Sequence, residues 1–377
     1  MNEILNLYSE TSKALRKASD GINLFSYINP LNGEDLYFEF TKNTNLKFSV
    51  FDFIYKEISV DINSIRDEVN KIQIPAQIPE LQTILENKVA DIKKQLTLLD
   101  YRGDPDKFSE ASVEAYGRPT QHNLNVAMRI LISFEPEQHQ ETHTAQELKD
   151  ALEKAFIELN LKNWIVVLSD TCRQTFVSGR EDFDGGGMVS ISSKRMFSAN
   201  EIQRLPIHEV KVHALRRDNG LKQPVDIFGT GLTGYINTEE GLALNAEKLT
   251  GTSCSTSFRR YAARTLAVDA LLNGFSLNAI YDMLRDYGID HADSFETVKR
   301  TARGGGFTKD HVYLDGYKRV KKYFRSGKNP DPLFVGKVGI DDIDLVNTLL
   351  EKSYLKPPNQ IPDFFRNVST SSIKNAS

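Results

Sequence analysis

One short stretch decides what kind of fold this chain can adopt. From Trp164 to Ser192 the helical periodicity that governs the rest of the sequence breaks down. Trp164-Ile-Val-Val-Leu168 is apolar and β-branched, the pattern of a buried strand. Gln174–Ser178 and Met188–Ser192 give two more strand signals, parted by Asp184-Gly-Gly-Gly187. Helical patterns stand on both sides. Helices, a small central sheet, then helices predict an α+β fold, mostly helical, with the sheet packed on one side.

The helices before the sheet are legible from their apolar spacing. Met1–Asp20 carries Ile4, Leu5, Tyr8 and Leu15 on a stripe. Val60–Lys71 and Pro79–Asp100 repeat the pattern, the second through Leu81, Ile84, Leu85, Val89, Ile92, Leu96 and Leu99. Asn29-Pro-Leu-Asn-Gly33 reads as a turn, and Arg102-Gly-Asp-Pro105 stops the long helix. Asn123–Phe134 and Ala145–Leu161 read as helices, the latter opened by Thr144 with Glu147 three residues on. From Asn200 the chain is helical again, with an irregular loop at Leu221–Asn237. After Tyr354 it turns rich in Pro, Asn and Ser and is expected to fray.

With 377 residues the chain can bury a core without a disulfide or metal staple. No apolar run reaches the ~20 residues of a membrane span, and Met1–Leu15 lacks a signal peptide's apolar segment. The net charge of −4 gives no general reason to bind nucleic acid. Cys172 and Cys254 make no Cys-x-x-Cys pair and read as small apolar residues in a reduced compartment. The expectation is a cytoplasmic protein with neither a membrane nor a nucleic acid as partner. The triplets at Asn367 and Asn375 match glycosylation acceptors only by chance.

Among seven histidines, two lie in Leu205-Pro-Ile-His208-Glu209-Val-Lys-Val-His213-Ala-Leu-Arg216. The segment resembles the zinc-protease motif His-Glu-x-x-His with one residue inserted. Residues four apart on an α-helix differ by about 40° around the axis, and residues five apart by about 140°. His208 and His213 can therefore share a metal only if a π-type turn brings them together. On spacing alone, an amphipathic helix with two surface or capping histidines fits equally. Thr238-Glu239-Glu240-Gly-Leu-Ala243 then starts a further helix. A glutamate there is the right residue type, in the right order, for a third zinc ligand of the thermolysin kind, zinc taking three protein ligands in catalytic sites. Both carboxylates also suit a helix's first turn without any metal.

Six segments, taken in order, resemble the microtubule-associated tyrosine carboxypeptidases and their bacterial relatives named for a Gln-Glu-Gly-Leu-Ala motif. They are Phe25-Ser-Tyr-Ile-Asn-Pro-Leu-Asn32, Ser112-x-x-x-Tyr116-Gly-Arg-Pro119, the two-histidine segment through Arg216, Gln223-Pro224, Thr238–Ala243, and Phe307-Thr-Lys-Asp310-x-Val-Tyr313-Leu-x-Gly316. Lys211 stands where the family usually has glycine, and Glu239 where the eponymous motif has glutamine.

The resemblance implies a zincin-like metallopeptidase with Zn2+ on His208, His213 and Glu240, and Glu209 as general base. Glu240 is chosen over Glu239 because it directly precedes Gly-Leu-Ala, which leaves Glu239 beside the site or on the surface. A carboxypeptidase also needs a cation for the substrate's terminal carboxylate. Arg216, Arg300, Arg303 and Lys309 are the candidates, and Tyr313 could donate to the oxyanion. Arg303-Gly-Gly-Gly306 offers a mobile or anion-binding loop. The remaining histidines read as surface groups.

The expected organisation is a mainly helical N-terminal region (1–120), a catalytic domain (121–352) and a flexible tail (353–377). The expected activity is removal of a C-terminal residue, tyrosine being one candidate, from a peptide or protein. The alternative is a catalytically inactive zinc-binding module that recognises peptides. Glu209 favours the enzyme, since a binding module needs no base. The acidic net charge gives no sign of a microtubule-binding tail, so the reaction class carries over and tubulin does not. Oligomeric state is not legible.

Overall fold

The computed structural model of the chain describes residues 2–43, 47–137, 139–170, 175–179 and 186–367. Three strands form the central sheet: β1 (Trp164–Ser169), β2 (Phe176–Gly179) and β3 (Gly187–Ser192). β3 lies in the middle, parallel to β1 from Trp164↔Gly187 to Ser169↔Ser192 and antiparallel to β2 from Phe176↔Ser190 to Gly179↔Gly187. A second pairing, Glu141–His143 against Phe197–Ser198, is too short to leave an alternation in the sequence. Cys172, Gln174, Asp184, Gly185 and the segment beyond Asn367 lie outside the described residues. Among the described residues no helix is long and apolar enough to cross a membrane.

Helix Pro79–Asp100 matches its expected bounds and buries Leu81, Ile84, Leu85, Ile92, Leu96 and Leu99. Fully burying a side chain of this kind contributes roughly 1.5–3 kcal/mol, so this one face anchors the N-terminal half. It packs into an apolar cluster that joins Tyr8, Leu15 and Ile22 to Phe228, Leu242 and Phe365. A second cluster joins Phe40, Phe48 and Phe53 to Tyr261, Ala262 and Tyr313. Residues from both ends of the chain thus share each core. Thr144 and Glu147 form the expected capping box on helix Ala145–Glu158.

The helix carrying the two glutamates begins at Tyr235, after Gly234 in the left-handed region, not at Thr238. The glutamates therefore sit past its first turn. This helix runs tightly against helix Val312–Arg325. A Cβ on Gly241 would lie 2.3 Å from the Gly316 carbonyl oxygen, and one on Gly316 only 1.9 Å from that of Asn237. Only glycine permits that approach.

After Tyr354 the chain returns to the core through Leu355, Ile361 and Phe365, all buried. Gln223 holds this return by donating to the Val335 and Lys356 carbonyls, at 3.2 and 3.0 Å, and accepting from the Lys356 amide at 2.8 Å.

Candidate metal centre

The two-histidine segment is a π-helix over Pro206–Ala214, set between α-helices Ala199–Leu205 and Leu215–Leu221. Pro206 brings no amide hydrogen to the start of the segment. With hydrogen bonds reaching one residue further back, side chains five apart come to overlie each other. His208 and His213 meet in this way, ring centroids 4.8 Å apart and planes at 82°. The expected single turn is in fact a nine-residue run.

Both imidazoles turn Nε2 towards Glu240. The Nε2–Oε2 separations are 3.7 Å from His208 and 3.9 Å from His213. Ligand atoms of His208, His213 and Glu240 all lie within 4.8 Å of one another. These distances are too long for hydrogen bonds but fit three donors around one ion.

The outer nitrogens are equally informative. His208 Nδ1 meets Glu247 Oε1 at 2.7 Å, and His213 Nδ1 meets Glu239 Oε1 at 3.0 Å. An ionised carboxylate only accepts, so each Nδ1 donates and each Nε2 is the nitrogen turned to the candidate ion site. Arg204 bonds Glu247 at 2.9 Å, while Arg216 and Lys337 bond Glu239, Lys337 at 3.2 Å. Metal-binding histidines characteristically donate their second N–H to such carboxylates. The donor set therefore fits a borderline-soft divalent cation such as zinc.

Burial resists charging the imidazole of His208, but Glu240 and Glu247 outweigh it and hold the ring well above the ordinary histidine value. Burial likewise resists the charge on Glu240, yet the histidines and Lys309 bring its carboxyl down to about 2. Glu209 differs: burial dominates and raises its carboxyl. One buried carboxylate is held ionised for coordination, while its neighbour is left a stronger base.

The four cations considered for a carboxylate ligand divide in two. Arg216 is fully buried, and its three nitrogens donate to Leu333 O, Glu239 Oε2 and Val338 O. Arg300 grips Asp310 through two nitrogens, at 2.6 and 3.0 Å. Arg303 and Lys309 are less committed. Arg303 donates from Nη1 to Asn29 at 2.9 Å and its Nη2 lies 3.7 Å from Asp310 Oδ1, while Nε and Nη2 are buried without a hydrogen-bond partner among the described residues. Its guanidinium lies over the Phe25 and Phe307 rings, at 5.0 and 4.6 Å. Lys309 lies between the Phe25 and Tyr313 rings, at 5.5 and 5.7 Å. Burial draws Lys309 below the usual lysine value and Arg303 down to about 10. Tyr313 stacks on Tyr261 at 4.6 Å, and burial raises its phenol well above the ordinary value.

The sequence of this protein matches the family model described as microtubule-associated tyrosine carboxypeptidase over residues 47–375. The chain belongs to that family. It is thus a member of a carboxypeptidase family. No curated protein matches it. Two solved structures are similar. One is a lipoprotein from Colwellia psychrerythraea, at TM-score 0.48 and 14% identity, over 77% of this chain and 66% of that one. The other is the M32 carboxypeptidase from Deinococcus radiodurans R1, at TM-score 0.46 and 11% identity, over 97% and 95%.

The family's motifs converge in space. Asn29 of the first holds Arg303 beside the last. Ser112 of the second accepts from the Thr308 amide at 2.8 Å, and His311 Nε2 meets the Tyr116 carbonyl at 2.9 Å. His311 is therefore a buried structural group, not a surface one. The triple-glycine loop is closely packed. Gly304 donates to Tyr55 Oη and accepts from the Gly103 amide, both at 2.8 Å, and a Cβ there would strike the Phe108 ring at 2.3 Å.

Sequence reasoning missed Glu247, Arg204 and Lys337. Glu247 stands two helical turns after Glu240, on the same face, a signal that only the position of His208 makes meaningful.

Proposed function

We propose that this chain is a zinc-dependent metallocarboxypeptidase with a zincin-like catalytic part, removing the last residue of a peptide or protein. The observation that carries the reading is the pair of histidines whose Nε2 atoms converge on Glu240 while each Nδ1 is tied to a buried carboxylate. That arrangement spends four acidic side chains, counting Glu209, on two imidazoles, which a purely structural helix pair has no use for.

His208, His213 and Glu240 would hold the zinc. Bound there, zinc would supply Lewis acidity toward the scissile carbonyl and lower the pKa of water toward 7. Glu209 takes a proton from the attacking water as its oxygen bonds to the carbonyl carbon. It returns that proton to the leaving nitrogen as the C–N bond breaks. Its raised carboxyl suits it to both halves of this transfer. Glu239 and Glu247 fix the imidazole tautomers. Lys309 and Arg303, the two cations with donors to spare, meet the terminal carboxylate, while Arg216 and Arg300 serve Glu239 and Asp310. The Tyr313 phenol keeps its proton at neutral pH and can donate it in a hydrogen bond to the developing oxyanion. Phe25, Phe307 and Tyr313 surround these cations with aromatic surface, which suits a bulky last residue such as tyrosine.

C-terminal peptide profiling of wild type against Glu209→Gln tests the reading. Wild type should release single C-terminal residues and the variant should not. Equal profiles would leave only the metal-binding module.

A further inference from the structure

Six arginines are buried among the described residues, and five of them hydrogen-bond within the chain: Arg204, Arg216, Arg217, Arg259 and Arg303. Arg264, on helix Ser255–Leu272, is the sixth. It is 5% exposed and has no hydrogen bond or ion pair among the described residues. Its contacts are two aromatic rings. The guanidinium lies 5.6 Å from the centroid of Tyr261 and 5.5 Å from that of Tyr313. Attraction to ring faces offsets only part of the hydration that a buried cation loses. A buried charge is costly unless it is paired, so Arg264 calls for an anion.

The carboxylates around it are already taken. Asp310 is fully buried and feels the charge of Arg264, but also those of Arg300 and Arg303. Its oxygens accept from Arg300 at 2.6 and 3.0 Å, and Arg303 stands 3.7 Å away. Asp293 pairs with Arg260, one turn before Arg264 on the same helix, and Glu296 pairs with Lys299. One buried carboxylate thus serves three guanidinium groups. The polar neighbours of Arg264 add donors. Of its own nitrogens only Nε is sealed from water without a partner, which leaves Nη1 and Nη2 open. The Tyr261 and Tyr313 hydroxyls are neither sealed nor hydrogen-bonded among the described residues. A guanidinium only donates, and each phenol can donate, so the group as a whole suits an anion. Its walls, two stacked rings with little opening, suit a compact one.

We infer that Arg264, flanked by Tyr261 and Tyr313, is a binding site for a compact monoanion taken from solution, with chloride as the probe. The site does not depend on the peptidase reading, and none of its tests involves cleavage. The zinc-loaded protein is melted in chloride and in bulky gluconate at equal ionic strength, which holds screening constant. Chloride should raise Tm by about 2 °C or more, and Arg264→Gln should remove that difference. Wild-type crystals soaked in bromide should show an anomalous peak in contact with the Arg264 Nη atoms, a result that stands even if the variant fails to fold. A peak absent from Arg264 would overturn the site. So would a chloride shift of the same size in Arg264→Gln, since the anion would then sit elsewhere, on the metal or on Lys309. The competing source of negative charge is an acidic side chain on the last residue of a peptide. In that case Glu209→Gln protein would bind a peptide ending in glutamate about tenfold more tightly than one ending in glutamine, in either salt, and adding Arg264→Gln would erase the preference. That outcome would give the guanidinium to the peptide and overturn the solution-anion site.

Discussion

At the scale of single residues, the account depends on the carboxylates behind the histidines as much as on the ligands. His208→Ala, His213→Ala and Glu240→Ala should each lower bound zinc from one per chain, read by elemental analysis. Glu239→Gln and Glu247→Gln should weaken zinc by about 10–100-fold in chelator competition, the usual effect of losing a partner that orients a metal-bound imidazole. Stoichiometric zinc in a His208→Ala/His213→Ala double variant would rule the site out. Glu209 gives a pH prediction. Its carboxyl is raised by burial and must be ionised to accept a proton. Activity should therefore fall as pH drops through that raised value, an acidic limb absent from the residual rate of Glu209→Gln. An acidic limb unchanged in the variant would assign it to another group.

At the scale of elements, two close fits place the ligands: the π-helix that overlays the histidines and the glycine crossing that brings Glu240 to them. Gly241→Ala would push a methyl group into the Gly316 carbonyl. The expected cost is about 1–3 kcal/mol of stability, together with lower zinc affinity, because Glu240 is the next residue. Thermal unfolding and metal titration of the variant check both, and a stable protein with normal zinc binding would contradict the crossing.

Much of this was legible beforehand. Helix Pro79–Asp100, the three-strand sheet and the need for a π-type turn follow from apolar spacing and from the five-residue gap between histidines. The roles of Arg216 and Arg300 were not legible. Both are natural carboxylate ligands by residue type, and only the fold reveals that Glu239 and Asp310 already occupy them. The same holds for His311, whose burial depends on a contact with Tyr116 far away in sequence. The Arg303 loop misled for a physical reason: three glycines permit mobility, but here their positive φ angles serve close packing, Gly304 and Gly305 on Phe108 and Gly306 on Ser109.

At the scale of the whole molecule, the N-terminal helices and the half that carries His208, His213 and Glu240 share both apolar clusters. Ser12 and Arg16 also bond Asp226, Arg16 at 2.8 Å. Calorimetry of the metal-free chain should therefore show one unfolding transition, and two well-separated transitions would contradict the shared core. The shared core also brings Phe25 from the first helices to Arg303 and Lys309 from the last, so the proposed site for the terminal carboxylate is completed only by the folded whole. The central claim is that a free C-terminus is what this site accepts. Mass spectrometry of matched peptides, one with a free C-terminal carboxylate and one amidated, tests it directly. Loss of the carboxylate leaves a buried cation unpaired, a cost on the order of 2–5 kcal/mol. The zinc-loaded protein should shorten the free peptide by its last residue and leave the amidated one intact; equal cleavage of both would contradict the account.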